Sequence, residues 1–267
     1  IKAGVDENTT VDYEFMDTKR FRTKESTTMF YEMLKYHLDH SEPYDVVIVG
    51  DDAALRFAMT FREELFDDIP IVFEGVNDEE YALEAAKNPL VTGILEKLSV
   101  EKNIDMALKV NPSADKVVAI LDDSVTGEAE RKNFYSAKAT YPGLEFSEIN
   151  SSELTTAKLQ QAFSKLDENT ILIYIVMSND GSGKQYTNSQ AIRMVVTYSK
   201  VPVYRMVEDG IGEGLLGGNV VSMYKSGEIA AQMAMDIANG TDSAEINVVK
   251  DSPNIYCVDE DVMRKFG

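Results

Sequence analysis

An α/β protein with two parallel sheets is what this chain predicts, and three observations carry the prediction. First, two apolar, β-branched runs end in the same acidic pair, Val46-Val47-Ile48-Val49-Gly50-Asp51-Asp52 and Val117-Val118-Ala119-Ile120-Leu121-Asp122-Asp123. A run of this kind suits a parallel strand covered on both faces, and an acidic residue after it can cap the next helix. Second, strand-like and helix-like stretches alternate throughout, which implies parallel sheets with right-handed crossovers. Third, 267 residues exceed what one core usually serves, so two lobes of ~100–150 residues are expected.

The elements follow in order. Strands are expected at 11–16, 46–50, 71–74, 117–121, 144–149, 171–177, 201–206 and 219–223. Apolar residues spaced three or four apart predict helices at 26–40, 53–66, 79–87, 100–110, 128–141, 153–166, 189–198 and 226–239, several behind a Ser, Asp or Asn cap. A short extended segment, Val91-Thr92-Gly93-Ile94-Leu95-Glu96, reads as one hinge, and the glycine-rich stretch 210–218 as a second near 215–218. The domain expectation is therefore 1–94 with about 217–245 as lobe 1, 95–216 as lobe 2, and 246–267 as a C-terminal segment leading to a membrane helix in the full protein. The opening Ile1-Lys2-Ala3-Gly4-Val5 resembles the end of a helix already under way, and the chain closes abruptly at Phe266-Gly267, as in an excised domain.

Composition excludes several classes. Asp and Glu total 46 against 26 Lys and Arg, a net charge of -20 that repels phosphate backbones and disfavours nucleic acid as a partner. One cysteine, Cys257, forbids an intramolecular disulfide. Gly212-Glu213-Gly214-Leu215-Leu216-Gly217 matches the G-x-G-x-x-G pattern, but the residues after it read as a strand where a dinucleotide site needs a helix N-terminus. Glycines that let the chain turn tightly are the better reading, and no cofactor is expected. His37 and His40 have no further ligands to complete a metal set. Nucleophile-elbow, zinc-hydrolase and P-loop motifs are absent from the sequence, and the chain reads as non-enzymatic.

The segments from Tyr44 to Phe57, Phe61 to Phe66 and Pro70 to Asp78 resemble the first lobe of ABC-transporter-type substrate-binding proteins of the tryptophan/tyrosine-binding class. The resemblance continues through Met16-Asp17-Thr18-Lys19-Arg20-Phe21, Val91-Thr92-Gly93-Ile94, Asp180-Gly181-Ser182-Gly183, Gly214-Leu215-Leu216-Gly217-Gly218 and Pro253-Asn254-Ile255-Tyr256. It is strongest to the subgroup used as extracytoplasmic sensor domains of histidine kinases and diguanylate cyclases. It implies two Rossmann-like lobes with an interlobe ligand cleft, the type I periplasmic-binding-protein fold. It further implies a small-molecule ligand, an amino acid or similar zwitterion, that the domain closes upon. The implied location is extracytoplasmic, periplasmic or cell-surface, and membrane-tethered. The implied partner is a fused membrane signalling module or an ABC permease, and a homodimer is admitted. A free or lipid-anchored importer subunit is the alternative, and an α/β enzyme ranks third.

A zwitterion needs acceptors for its ammonium and donors for its carboxylate, and ligands of open α/β sheets sit beyond the carboxyl ends of the strands. That places Asp17, Arg20, Asp51, Asp52, Ala53 and Asn77 as candidate ligand contacts in the first lobe. In the second lobe the candidates are Asp122, Thr126, Gly127, Asn179, Asp180, Glu208 and Asp209. Plainer readings compete: Asp52 and Asp123 as helix caps, Arg20 as a surface charge, and 179–183 as a turn.

Overall fold

The computed structural model describes residues 1–18, 21 and 23–266. In chain order its main elements are α1 (Lys24–His40), β1 (Val47–Gly50), α2 (Asp52–Thr60), β2 (Ile71–Val76), α3 (Glu79–Ala85), β3 (Val91–Leu95), α4 (Val100–Val110), β4 (Lys116–Leu121) and α5 (Val125–Ser136). They continue with β5 (Glu145–Asn150), α6 (Thr156–Ser164), β6 (Thr170–Tyr174), α7 (Asn188–Tyr198), β7 (Val203–Arg205), β8 (Gly217–Val220), α8 (Met223–Ala238), β9 (Ile255–Val258) and α9 (Glu260–Phe266). The fold class is the expected one, α/β with parallel-dominated sheets.

Two compact units emerge, Ile1–Lys97 with Met223–Pro253, and Leu98–Ser222 with the residues from Asn254 onward. The first unit holds a parallel sheet in the order β1-β2-β3. Val49, Ile71, Phe73, Val76 and Leu95 pack on one side beneath α2 and α3, while Val72 and Ile94 pack on the other beneath Ala230, Met233 and Ala234 of α8. The second unit holds a sheet in the order β5-β4-β6-β7-β8-β9, parallel except for the β8–β9 pair. Alternate residues of β4 and β6 feed two cores, Val117, Ala119, Leu121 and Ile171 on one face and Val118, Ile120, Leu172 and Tyr174 on the other. That double burial is why these strands read as unbroken apolar runs.

Several expectations need correction. Residues 11–16 form no strand; they run extended, held by Tyr44 donating to Asp12 at 2.8 Å and His37 meeting Glu14 at 2.7 Å. The segment read as a first hinge is β3, wholly buried and paired with β2, its strand character masked in sequence by Thr92 and Gly93. The helix expected at 53–66 breaks into α2 and a π-turn, Arg62–Phe66. The strand expected at 219–223 to return to the first lobe is β8, which pairs with β7 and β9 inside the second unit. The glycines explain its position: a Cβ on Gly217, at φ 90°, would meet the Cys257 carbonyl oxygen at 2.2 Å, and one on Gly218 would meet Asn103 Oδ1 at 1.8 Å. Asn103, fully buried, clamps β8 by accepting from the Asn219 amide at 3.0 Å and donating to its carbonyl at 2.8 Å. The C-terminal residues expected as a separate segment contribute instead to both units: the Val249 carbonyl accepts from the Leu95 amide at 3.0 Å, and β9 edges the second sheet.

Candidate functional site

In the first unit the carboxyl ends of all three strands carry polar groups that bind one another. Asp51 follows β1 with φ 80° and ψ 155°, a region that side chains other than glycine avoid, and its amide donates to the Glu74 carbonyl at 3.0 Å. It occupies the N-cap position of α2 but its side chain caps nothing. Asp52, expected as the cap, instead spans to the end of β2: its carboxylate accepts from the Asn77 amide at 3.3 Å and the Asp78 amide at 3.0 Å. Asn77 is exposed and passes the link on, donating to the Glu96 side chain at 3.2 Å just beyond β3. Asp78 caps α3 through the Tyr81 amide at 3.1 Å and pairs with Arg56. Burial pushes the carboxyls of Glu74 and Glu96 above the usual range. Ala53 is half-buried in the first turn of α2. Asp17 is exposed at φ 46°, and its carbonyl accepts from the Phe21 amide at 3.0 Å. Arg20 lies outside the described residues.

The second unit repeats the arrangement with different chemistry. Asp122, 0 % exposed, accepts from the amide and hydroxyl of Ser178 at 2.8 and 2.6 Å and from the amide of Ser124 at 3.0 Å. Burial raises its carboxyl, but these donors together outweigh burial and hold it below its ordinary value. Ser124, and not Asp123, caps α5, accepting from the Gly127 amide at 3.1 Å. A side chain at Gly127 would collide with the Asp122 carbonyl oxygen at 2.1 Å, so its glycine serves packing. Thr126 beside it is exposed. Asp123 is exposed and accepts from Asn150 at 2.8 Å and Arg131 at 3.1 Å, while Ser152 links its amide to Asn179 at 3.2 Å.

Asp180 is 1 % exposed and organises the turn after β6. Its carboxylate accepts from the Ser182 hydroxyl at 2.5 Å, Thr156 at 2.5 Å, Tyr186 at 2.8 Å and the Lys184 amide at 3.1 Å. Those donors, Ser182 and Thr156 foremost, depress its pKa strongly. A carboxylate so committed builds a loop and has little left to offer a ligand. Asp209 differs. Its side chain is 61 % exposed, accepts from Asn188, and lies 3.7 Å from Arg205. Arg205 ends β7 and is buried; it donates to the carbonyls of Ile175 at 2.6 Å and Asp209 at 3.0 Å, with its guanidinium 4.8 Å from the Tyr174 ring centre. Tyr174 donates to Asn188 at 3.0 Å, closing the ring. Glu208 is exposed, its carbonyl accepting from the Ile211 amide at 3.3 Å.

Sequence reasoning missed Glu96, because β3 was read as a hinge, and passed over Glu74, the last residue of the strand expected at 71–74, which the structure extends to Val76. Arg205 was legible only as a neighbour of Asp209, and Asn188, 21 residues before it in the chain, gave no signal. The strand ends of the first unit carry carboxylates that can accept from a cationic group, and those of the second unit carry both donors and acceptors. Among the described residues, no group of three or more His, Cys, Asp or Glu could hold a metal ion, and no helix is long and apolar enough to cross a membrane.

Polar groups at the carboxyl ends of parallel strands are where α/β units hold small molecules. The family model for ABC transporter substrate binding proteins matches residues 4–267, and the chain belongs to that family. A tyrosine-binding protein of Clostridioides difficile (strain R20291) is 22% identical over 204 residues, which cover 74% of this chain and 56% of that protein, little more than half its length. In structure the chain is similar to the ligand-free, open form of a substrate-binding protein with adhesive properties from Clostridium difficile, with a TM-score of 0.68 at 18% identity over 90% of this chain and 79% of that one. It is also similar to an ABC domain in complex with L-Trp from Streptococcus pneumonia, with a TM-score of 0.59 at 15% identity over 90% and 80% of the two chains.

Proposed function

We propose that this chain is the ligand-binding part of an extracytoplasmic receptor for a free amino acid or a similar zwitterion. The observation that carries the reading is the polar group set at the carboxyl ends of the parallel strands. The first unit offers Asp51, Asp52, Asn77 and Glu96, suited to an ammonium, and the second offers Ser152, Asn179, Asp209 and Asn188, which mix donors with acceptors. The L-Trp complex of one structural neighbour and the tyrosine-binding name of a relative support an amino acid as the ligand class. Asp51, Asn77, Asn179, Glu208 and Asp209 are the proposed contacts, with Asp52, Asp122, Gly127 and Asp180 holding the loops that present them.

The receptor is further read as membrane-tethered, with a signalling module as its partner, on the resemblance of its motifs to sensor domains. Delivery to an ABC permease is the second reading, favoured by the family to which the chain belongs. A thermal-shift screen of amino acids and small metabolites tests the shared part: a ligand at 100 times its Kd raises stability by ~2.7 kcal/mol. A folded protein that no member of the panel shifts overturns amino-acid binding. Deleting the gene then separates the roles, since loss of uptake of the identified ligand marks an importer, and unchanged uptake with loss of a ligand-dependent cellular response marks a sensor.

A further inference from the structure

Three Asp-Gly or Asn-Gly pairs occur in the chain, Asp180-Gly181, Asp209-Gly210 and Asn239-Gly240. In such pairs the side-chain carbonyl carbon is open to attack by the next residue's amide nitrogen, because glycine puts no side chain in the way. The fold treats the three differently. The Gly181 amide donates to the Leu154 carbonyl at 2.9 Å, and the Asp180 carboxylate before it is buried among its own donors. The Gly240 amide, just past α8, donates to the Ile237 carbonyl at 2.8 Å, although Asn239 itself is exposed. At 209–210 no such bond holds the nitrogen. Gly210 is buried at φ 91°, and among the described residues its amide has no acceptor, while the Asp209 side chain is 61% exposed.

We propose that Asp209-Gly210 is a site of spontaneous backbone modification in the folded protein, at which Asp209 converts to isoaspartate, while the fold protects the other two pairs. The Gly210 nitrogen bonds to Cγ of the Asp209 carboxyl in its protonated form. The amide hydrogen leaves with the carboxyl hydroxyl as water, and a cyclic succinimide closes. Water then opens the ring, either at Cγ to restore aspartate or at the main-chain carbonyl to leave the chain running through Cγ as isoaspartate. One water is lost and one regained. Two features of the loop favour closure. The succinimide nitrogen carries no hydrogen, so closure at Gly210 removes a buried donor that lacks an acceptor, whereas closure at Gly181 or Gly240 breaks a hydrogen bond. Arg205 Nε donates at 3.0 Å to the Asp209 carbonyl, the oxygen of the reacting peptide. A guanidinium there draws electron density from the Gly210 nitrogen and makes its N–H more acidic. Any loss of ligand affinity in aged protein rests on Asp209 being a ligand contact; the modification itself does not.

Ageing of the full chain in near-neutral buffer, folded and in denaturant, followed by peptide mapping with mass detection, is the test. Isoaspartate appears as a peptide of unchanged mass and altered retention, and the succinimide as a form one water lighter. In the folded protein the Asp209-Gly210 peptide is expected to change about ten-fold faster than the Asp180-Gly181 peptide, the value of one backbone hydrogen bond. In denaturant, where sequence alone counts, the two are expected to change at comparable rates. Asp209→Asn supplies a second matched pair, since positions 209 and 239 then both carry asparagine before glycine. Deamidation at 209 is expected to outpace that at 239 about ten-fold in the folded variant and to match it in denaturant. Asp209→Glu, whose longer side chain would have to close a larger ring, is expected to abolish the change. The proposal is overturned if 180–181 keeps pace with 209–210 in the folded wild type, or if 209–210 is unchanged when the denatured chain has reacted at both. It is equally overturned if position 239 keeps pace with 209 in folded Asp209→Asn. Denaturant melts check the variants for folding, and should one unfold, the wild-type comparison decides.

Discussion

Asp122 and Ser178 tie the carboxyl ends of two neighbouring parallel strands together, the Asp122 carboxylate accepting the Ser178 amide at 2.8 Å and its hydroxyl at 2.6 Å. In the first unit Asp52 performs the same service between β1 and β2 through the amides of Asn77 and Asp78. The repeated acidic pair thus has a structural meaning: in each unit one member of the pair splices adjacent strand ends, and the other stays exposed. The order differs, Asp52 splicing in the first unit and Asp122 in the second.

Removing the splice is expected to damage the fold more than the site. Asp122→Ala leaves the amides and hydroxyls of Ser124 and Ser178 short of an acceptor in a buried place, at a cost of about 2–4 kcal/mol. Asp122→Asn keeps one acceptor oxygen and is expected to cost less. Denaturant melts of the apo protein read both; equal midpoints for wild type and Asp122→Ala would show the splice to be dispensable.

Acid is expected to act on the two units with opposite sign. Asp180 is held low by Ser182 and Thr156, and Asp122 is held low because its donors outweigh burial, so the unfolded chain binds protons more readily at both. Their stabilisation is complete above the unfolded value of ~3.9 and is lost as pH falls through the lower folded values. Glu74 and Glu96 are raised by burial, so their contribution favours folding below ~4.3 and is lost as pH rises through the folded values. Asp180→Asn should flatten the loss of stability in strong acid, and Glu96→Gln should flatten the loss on the way from pH ~4 upward. Melting temperatures measured across that range decide, and a variant profile parallel to wild type would refute the assignment for its residue.

Asp51 sits in strained backbone, at φ 80° without a side-chain cap to show for it. Glycine relieves that strain, so Asp51→Gly is expected to stabilise the apo protein by roughly 1 kcal/mol. If the Asp51 carboxylate serves the ligand, the same variant should bind it about ten-fold more weakly. A gain in melting temperature with unchanged affinity would show that the Asp51 carboxylate does not serve the ligand.

The fold was legible wherever one apolar run met one environment. Val117 to Leu121 are buried on both faces of a central strand, so burial wrote them into the sequence, and Val46 to Val49, on an edge strand, kept the same pattern with most of their side chains half-buried. Residues 11–16 alternate apolar and acidic like a strand, yet Asp12 and Glu14 bind side chains from elsewhere in the chain and the segment forms no ladder. β3 hid behind Thr92 and Gly93, and with it Glu96. The candidate site was legible as a list of strand ends but not as a division of labour. Asp180 and Asp209 look alike in sequence, and only the hydroxyls of Thr156, Ser182 and Tyr186, brought from separate positions, distinguish a buried organiser from an exposed carboxylate.

That difference makes Asp209 and Arg205 a discriminating pair. Asp209 is mostly exposed, caps no helix, and has its side chain positioned by Asn188 and Arg205. Asp209→Ala is therefore expected to leave the apo melt within ~0.5 kcal/mol of wild type. It should weaken ligand binding about ten- to hundred-fold, the value of a charge-assisted hydrogen bond of ~1.5–3 kcal/mol. Arg205 is buried and supports the carbonyls at the end of β6, so Arg205→Ala should destabilise the apo fold by about 2–4 kcal/mol and lose affinity only as a consequence. Asn188→Ala should fall between, loosening Asp209 while costing Tyr174 its hydrogen-bond acceptor. Titration calorimetry with the identified ligand and denaturant melts of the apo proteins measure the two effects separately. Unchanged affinity in Asp209→Ala would remove the loop after β7 from the binding site and leave Asn179 as the second unit's proposed contact.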